Sequence, residues 1–240
     1  MQGETGRAIA DDRWAERLAA LTRPERARPP KPPLSVERIV DVALELIEAD
    51  GFEALTMRRV ATVLQTGPAS LYAHVRNKAD LDDLLIGRLC SRVNLPTPDP
   101  TRWPEQLLDV CRQLRDQFLR YPGVSQAALA AMPTSIDTLR INEGMLAILL
   151  AGGVAARSAA WAIDAAYLYV AGYSLEASLR DRDAAGRGGR EPLAAAERLR
   201  MLPADRFPNT VAHAAELTSG AGHERFDFTL DLLFRGLASD

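Results

Sequence analysis

From Leu34 almost to the C-terminus, apolar residues recur at intervals of three and four, the spacing that lines them along one face of an α-helix. Val36, Ile39, Val40, Ala43, Leu44 and Ile47 form the first such stripe. Ser35 precedes it as an N-cap, Leu34 and Ile39 occupy hydrophobic-staple positions, and Gly51 follows as a left-handed stop. The pattern predicts a helix over about 36–49. Thr56 caps a second helix over 57–64, with Leu55 and Val60 as its staple. Pro68, whose missing N–H is harmless in a first turn, opens a third over 68–75. Asn77, with Asp80 three residues on, caps a fourth that runs to about 94 through Leu81, Leu84, Leu85, Ile86 and Leu89. Beyond Pro96, Pro98, Pro100 and Pro104, helices are predicted at about 105–120, 125–132, 135–151, 154–180, 193–200, 208–217 and 224–238. No alternating strand pattern or Asn-Gly hairpin competes with them, so the expected fold class is all-α.

Composition narrows the function classes. Hydrophobic residues at 47% and charged residues at 25% of 240 describe an ordinary globular protein rather than a disordered one, and a net charge of -3 excludes a polybasic chain. Cys90 and Cys111 are the two cysteines and lack C-x-x-C spacing, so neither a disulfide scaffold nor a zinc cluster is expected. Asp11, Asp12 and Glu16 stand where a secretory signal would be apolar. The longest apolar stretch, 145–156, holds 12 residues and is interrupted by Gly152 and Gly153. A membrane span needs ~20. A cytoplasmic protein is expected.

Residues 1–33 read as an extension. A short helix over 12–26 can align Trp14, Leu18 and Leu21, and Pro29, Pro30, Pro32 and Pro33 favour an extended linker. The extension can be a mobile tail, an arm that touches DNA, or a segment docked on the body. Asp181 to Arg190 has no large apolar residue and is expected to be a flexible loop.

The second and third helices, joined by a turn at Gln65-Thr66-Gly67, have the proportions of a helix-turn-helix. Such a unit can place its second helix in a DNA major groove ~12 Å wide. Between Ala54 and Ala79 the basic side chains are Arg58, Arg59, Arg76 and Lys78, joined by His74, and there is no acid. Residues 93–240 carry 15 basic and 18 acidic residues, so the negative charge sits away from the motif.

These segments resemble the DNA-binding domain of the TetR family of bacterial one-component regulators. The resemblance rests on L-S-x-E-R-I-V-x-x-A-L-E-L-I-E-x-x-G (34–51), L-T-M-R-R-V-A (55–61) and P-A-S-L-Y-A-H-V-R-N-K-A-D-L (68–81). Later segments, F-P-N-T-V-A-H (207–213) and E-R-F-D-F-T-L-D-L-L-F-R-G-L (224–237), resemble the branch near the tetracycline repressor. The resemblance implies an N-terminal three-helix DNA-binding domain (34–94) joined to a larger helical ligand-binding and dimerisation domain (95–240). It also implies a ligand-responsive regulator, most simply a repressor, that binds a near-palindromic operator as a homodimer and is released by a small-molecule inducer.

Carried over residue by residue, the resemblance makes Arg58 a base-reading arginine, able to meet guanine O6 and N7 bidentately. Pro68, Ala69 and Ser70 lie at the groove-entering end of the third helix, where Pro68 and Ala69 can touch only thymine methyls. Thr56, Tyr72, His74 and Lys78 would contact phosphates, which position the protein without reading sequence. The Thr56 hydroxyl is equally explained by capping, and Tyr72 by an amphipathic edge. The fourth helix would tilt on ligand binding and spread the reading heads. The helix at 154–180, through Ala165, Leu168, Gly172 and Leu175, and the last helix, through Phe226, Leu230, Leu233, Phe234 and Leu237, would form the dimer interface. The same last stripe can equally be intrachain core.

Phe118, Met132, Met145, Trp161 and Tyr167 are the expected lining of an apolar inducer chamber, with plain core packing as their alternative. The positions aligned with the two histidines that hold a tetracycline–magnesium complex are Asn94 and Ala128, so that inducer is not expected and no cofactor or metal is implied. His74, His213 and His223, two separated cysteines and no phosphate-binding loop supply no catalytic constellation. His213 and His223 can still meet at a metal across the turn between them. An activator of the same fold, and a helical small-molecule-binding protein without DNA binding, are the competing readings.

Overall fold

The structure is a computed structural model that describes residues 33–130, 134–186 and 195–237. Its first helices begin where side chains can satisfy the N–H groups of a first turn. In α1 (Val36–Asp50) the Ser35 hydroxyl accepts from the Arg38 N–H at 3.3 Å, and in α2 (Met57–Val63) the Thr56 hydroxyl accepts from the Arg59 N–H at 3.2 Å. Gly51 ends α1 with φ 81°, donating its N–H to Ile47 O at 2.8 Å, and a short 3-10 turn at Phe52–Ala54 leads into α2.

The chain then turns through Gln65, which carries a left-handed φ of 51°, into α3 (Pro68–Tyr72). The third helix is shorter than its apolar pattern predicts. Its turn is continued by His74 and Val75, whose N–H groups donate to Leu71 O at 3.0 and 3.1 Å, and this keeps Val75 buried. In α4 (Lys78–Ser91) Asn77 accepts from the Asp80 N–H at 2.9 Å while the Asp80 carboxylate accepts from the Arg76 N–H at 2.8 Å. Leu55, Val60, Leu71, Val75, Leu81 and Leu85 close over Ile39, Ala43 and Ile47 to form the core of this head.

The body consists of α5 (Trp103–Arg120), α6 (Ser125–Ala130), α7 (Ile136–Ala151), α8 (Ala156–Gly186), α9 (Ala195–Arg200), α10 (Pro208–Ala212), α11 (Ala214–Thr218) and α12 (Glu224–Leu237). Every element among the described residues is helical. Mutual packing of α5, α7 and α8 accompanies the burial of Leu107, Val110, Leu114, Phe118, Ile141, Met145, Ile148 and Leu149. Here α4 packs against α5 and α7, so head and body are continuous within the unit that begins at Ser35. Among the described residues, no helix is long and apolar enough to cross a membrane.

Several expectations are corrected. The segment from Asp181 is not a loop at its start, because α8 continues to Gly186. Ala, Asp and Arg are compatible with helix, no Pro intervenes, and Arg182 is tied to Glu53 at 2.6 Å. The single helix expected at 208–217 is broken at His213, whose φ and ψ of -109° and 27° leave the helical region and separate α10 from α11. On α12, Phe226, Leu230 and Phe234 pack inward against α5 and α8, so they are intrachain core rather than a dimer surface. The expected short helix at 12–26 and the part of the expected loop at 187–190 lie outside the described residues.

Candidate nucleic-acid interface

The helix-turn-helix presents one polar, positively charged face. Arg58 projects from the first turn of α2, exposed and with no side-chain partner among the described residues. Its neighbour Arg59 is held by an ion pair with Asp50 at the end of α1, which leaves Arg58 as the solvent-facing guanidinium of that turn. Pro68, Ala69 and Ser70 are all exposed at the start of α3, and Tyr72, 50% exposed, and His74 follow on the same outer side. By contrast Leu71 and Val75 are fully buried. The motif is anchored through its buried apolar residues, Leu71 and Val75 on this segment, and leaves its polar residues to solvent.

Two residues are placed differently from a simple phosphate-contact reading. The Thr56 hydroxyl accepts from Arg59 N–H as a cap, which still leaves its own proton to donate. Lys78 is only half exposed: its ammonium is paired with Asp82 one turn on and lies 4.1 Å from the centroid of the Phe52 ring. Burial holds the Asp82 carboxyl above its ordinary pKa even though Lys78 opposes the shift. A phosphate at Lys78 would share the ammonium with these groups.

In the body, the expected chamber residues separate. Phe118 is fully buried and meets Tyr167 edge-on at 6.5 Å between centroids, and Met145 is buried in α7. Burial pushes the Tyr167 phenol well above its ordinary range. Trp161 is 67% exposed, with the Arg157 guanidinium 5.4 Å from its ring, so within one chain it lines no chamber. Met132 lies outside the described residues. Trp161 instead begins a solvent-facing ridge with Leu168 and Leu179 on α8, and the adjacent α12 exposes Phe228 and Leu232.

A polar cluster that the sequence pattern does not single out fastens α12 to α5 and α8. Arg112 donates two hydrogen bonds to the Asp227 carboxylate, at 3.0 and 2.8 Å. Arg115, whose side chain is 8% exposed, reaches Asp227 at 3.8 Å, pairs with Asp116 at 2.7 Å and lies 4.7 Å from the centroid of the Phe226 ring. The Arg112 hydrogen bonds hold the Asp227 carboxyl below its ordinary value. Phe226 stacks on Tyr169 at 5.6 Å, and the Tyr173 hydroxyl meets His223 Nδ1 at 2.9 Å. Apart from the adjacent Arg115 and Asp116, these partners are more than 40 positions apart in the chain, and no local spacing marks them. Among the described residues, no group of three or more potential metal ligands is assembled.

Beside this cluster lies a cavity of about 540 Å³, bounded by Leu119 and Pro122, the C-terminal half of α8, and Gly222–His223. Phe118, Met145 and Tyr167 do not line it.

Comparison with known proteins places this architecture. The profile described as "Bacterial regulatory proteins, tetR family" matches residues 39–82, and "Tetracyclin repressor-like, C-terminal domain" matches residues 95–240. An HTH-type transcriptional regulator of Saccharopolyspora erythraea is 32% identical over 222 residues, covering 92% of each chain. The HTH-type transcriptional repressor DrrR1 of Streptomyces coeruleorubidus is 31% identical, covering 88% of this chain and 80% of its own. The crystal structure of the Streptomyces coelicolor TetR family protein ActR in complex with actinorhodin superposes with a TM-score of 0.78 at 36% identity, covering 87% of this chain and 98% of that one. Head, body and match all agree: the chain belongs to the TetR family of bacterial regulatory proteins.

Proposed function

We propose that this regulator is a ligand-responsive, cytoplasmic repressor that binds a near-palindromic operator as a homodimer, with 34–94 as its reading head and 95–240 as its sensing and dimerisation domain. The observation that carries this reading is the exposed, acid-free face of α2 and α3 with an unpaired Arg58 at its edge. Arg58 would read a guanine, Ser70 a base edge or phosphate, and Pro68 and Ala69 thymine methyls, while Thr56, Tyr72, His74 and Lys78 fix the frame on phosphates. The solvent-facing ridge of Leu168 and Leu179 with Phe228 and Leu232 supports a second copy as partner, since contiguous exposed apolar surface marks an interaction site. ActR is solved with actinorhodin and DrrR1 is named as a repressor, which supports small-molecule release from DNA here.

The mechanism needs a ligand with different affinities for the DNA-competent and released states, a coupling typically of ~1–3 kcal/mol. α4, which packs on α1 in the head and on α5 and α7 in the body, is the rigid connection able to carry it.

The test is fluorescence anisotropy on the intergenic DNA beside the gene, with Arg58→Ala in parallel. Loss of one bidentate base contact weakens specific binding by about 5- to 150-fold, from ~1–3 kcal/mol, while binding to random DNA falls far less. Equal loss on both DNAs would make Arg58 a phosphate anchor. Absence of any specific binding would support a helical sensor without an operator.

A further inference from the structure

Resting on that repressor reading, the cavity of about 540 Å³ sits where the body grips the head. Pro122 on its wall accepts a hydrogen bond through its carbonyl from the Phe52 N–H at 2.9 Å. Arg182 on its rim is bonded to Glu53, the next residue of the same 3-10 turn, at 2.6 Å. The Phe52 ring in turn carries the Lys78 ammonium at the start of α4. One turn, Phe52–Ala54, thus joins the cavity wall to Lys78.

The lining fits a defined chemistry. Leu119, Pro122 and Ala177 make an apolar wall, and the hydrogen-bonded Tyr173–His223 pair supplies a polar end. On the rim Arg180 pairs with Glu176 at 3.9 Å and Arg182 with Glu53 at 2.6 Å, with Asp181 between them, so an anion entering there meets guanidinium groups only by taking one from its carboxylate. The volume lies within the ~300–1,000 Å³ of small-molecule sites.

We propose that this cavity is an effector site for an apolar, aromatic molecule bearing one anionic oxygen group, and that the anion competes with Glu53 for Arg182. Occupancy breaks the Arg182–Glu53 tie and frees the turn that seats Lys78, so binding of this ligand and docking of the head oppose each other. Because linkage is reciprocal, operator DNA must weaken ligand binding by the same factor by which ligand weakens DNA binding.

The experiment uses the full chain and the fluorescent anion anilinonaphthalenesulfonate as the probe, titrated with and without operator DNA, with operator affinity measured separately for each variant. Glu53→Gln removes the competitor and is expected to tighten probe binding about two- to fivefold, the range for a half-exposed ion pair. Arg182→Gln is expected to weaken it at least as much, and Ala177→Trp, which fills the apolar wall, to abolish the same binding phase. Arg182 and Glu53 are both largely solvated, so their variants fold even where the Trp variant does not. Unchanged probe affinity in Glu53→Gln and Arg182→Gln would overturn the site. So would probe binding indifferent to operator DNA. Loss of operator binding by the unmodified protein would instead overturn the repressor reading and leave the cavity result standing.

Discussion

Asp227→Asn removes one charge and leaves the shape of the side chain almost untouched, so it isolates the electrostatic fastening of α12. In the folded chain Asp227 accepts two charge-assisted hydrogen bonds from Arg112 and attracts Arg115 at 3.8 Å. Such bonds contribute up to ~3 kcal/mol each when buried, but Arg112 and Asp227 are 42% and 35% exposed, and solvent screening reduces the pair to about 1–2 kcal/mol. Arg115 keeps Asp116 and its place near the Phe226 ring, so no uncompensated buried charge is created. Urea unfolding at pH 7 should therefore show a loss of about 1–2 kcal/mol, or about 2–8 °C in Tm for a domain of this size. The folded-state carboxyl titrates below its ordinary value of 3.8, so its stabilisation is complete above that value and disappears as the pH falls through the lower folded one. The difference between wild type and Asp227→Asn should then be constant from pH 5 to 8 and vanish in stronger acid. A double-mutant cycle with Arg112→Gln should give a coupling of about 1 kcal/mol. Additive losses, or a wild-type advantage that persists in acid, would refute the argument that this ion cluster holds α12 in place.

Other outcomes follow from packing and exposure. Gly152, at the end of α7, lies against the buried Trp103 indole so closely that an added Cβ would overlap it; Gly152→Ala should cost about 1–3 kcal/mol in the same unfolding assay, although the backbone conformation there suits alanine. Burial raises the thiols of Cys90 and Cys111 to about 11 and about 12, so neither should react with iodoacetamide in the folded protein at pH 8, and both should react on unfolding. Phe228 is 69% exposed in the single chain, so Phe228→Glu should leave the stability of the chain itself within about 0.5 kcal/mol while shifting the proposed dimer towards monomer by light scattering. A dimer as tight as wild type would remove α12 from the interface.

The reading heads were legible because their determinants are local. Ser35, Thr56 and Asn77 each act on an N–H three residues away, and the alternation of buried Leu71 and Val75 with exposed Tyr72 and His74 is simple helical geometry. The body was legible only as a set of stripes. The apolar face of α12 shows that Phe226, Leu230 and Phe234 must be covered, and either a second copy or α5 and α8 can cover them. The absence of large apolar residues after Asp181 suggested a loop. Helix propensity there, joined to a distant Glu53, keeps α8 going to Gly186. Trp161 looked like chamber lining by residue type, yet it faces solvent, because aromatic character does not specify which side of a helix meets the core.

Helix positions, their caps and the charge of the reading face follow from interactions that span about four residues, and these are written in the order of the amino acids themselves. The seat of Lys78 against Phe52, the Arg112–Asp227 fastening, the close approach of Gly152 to Trp103 and the cavity at the joint all depend on which helices become neighbours. That choice is made by burying several apolar stripes at once, a collective property of the packed body that no single segment carries.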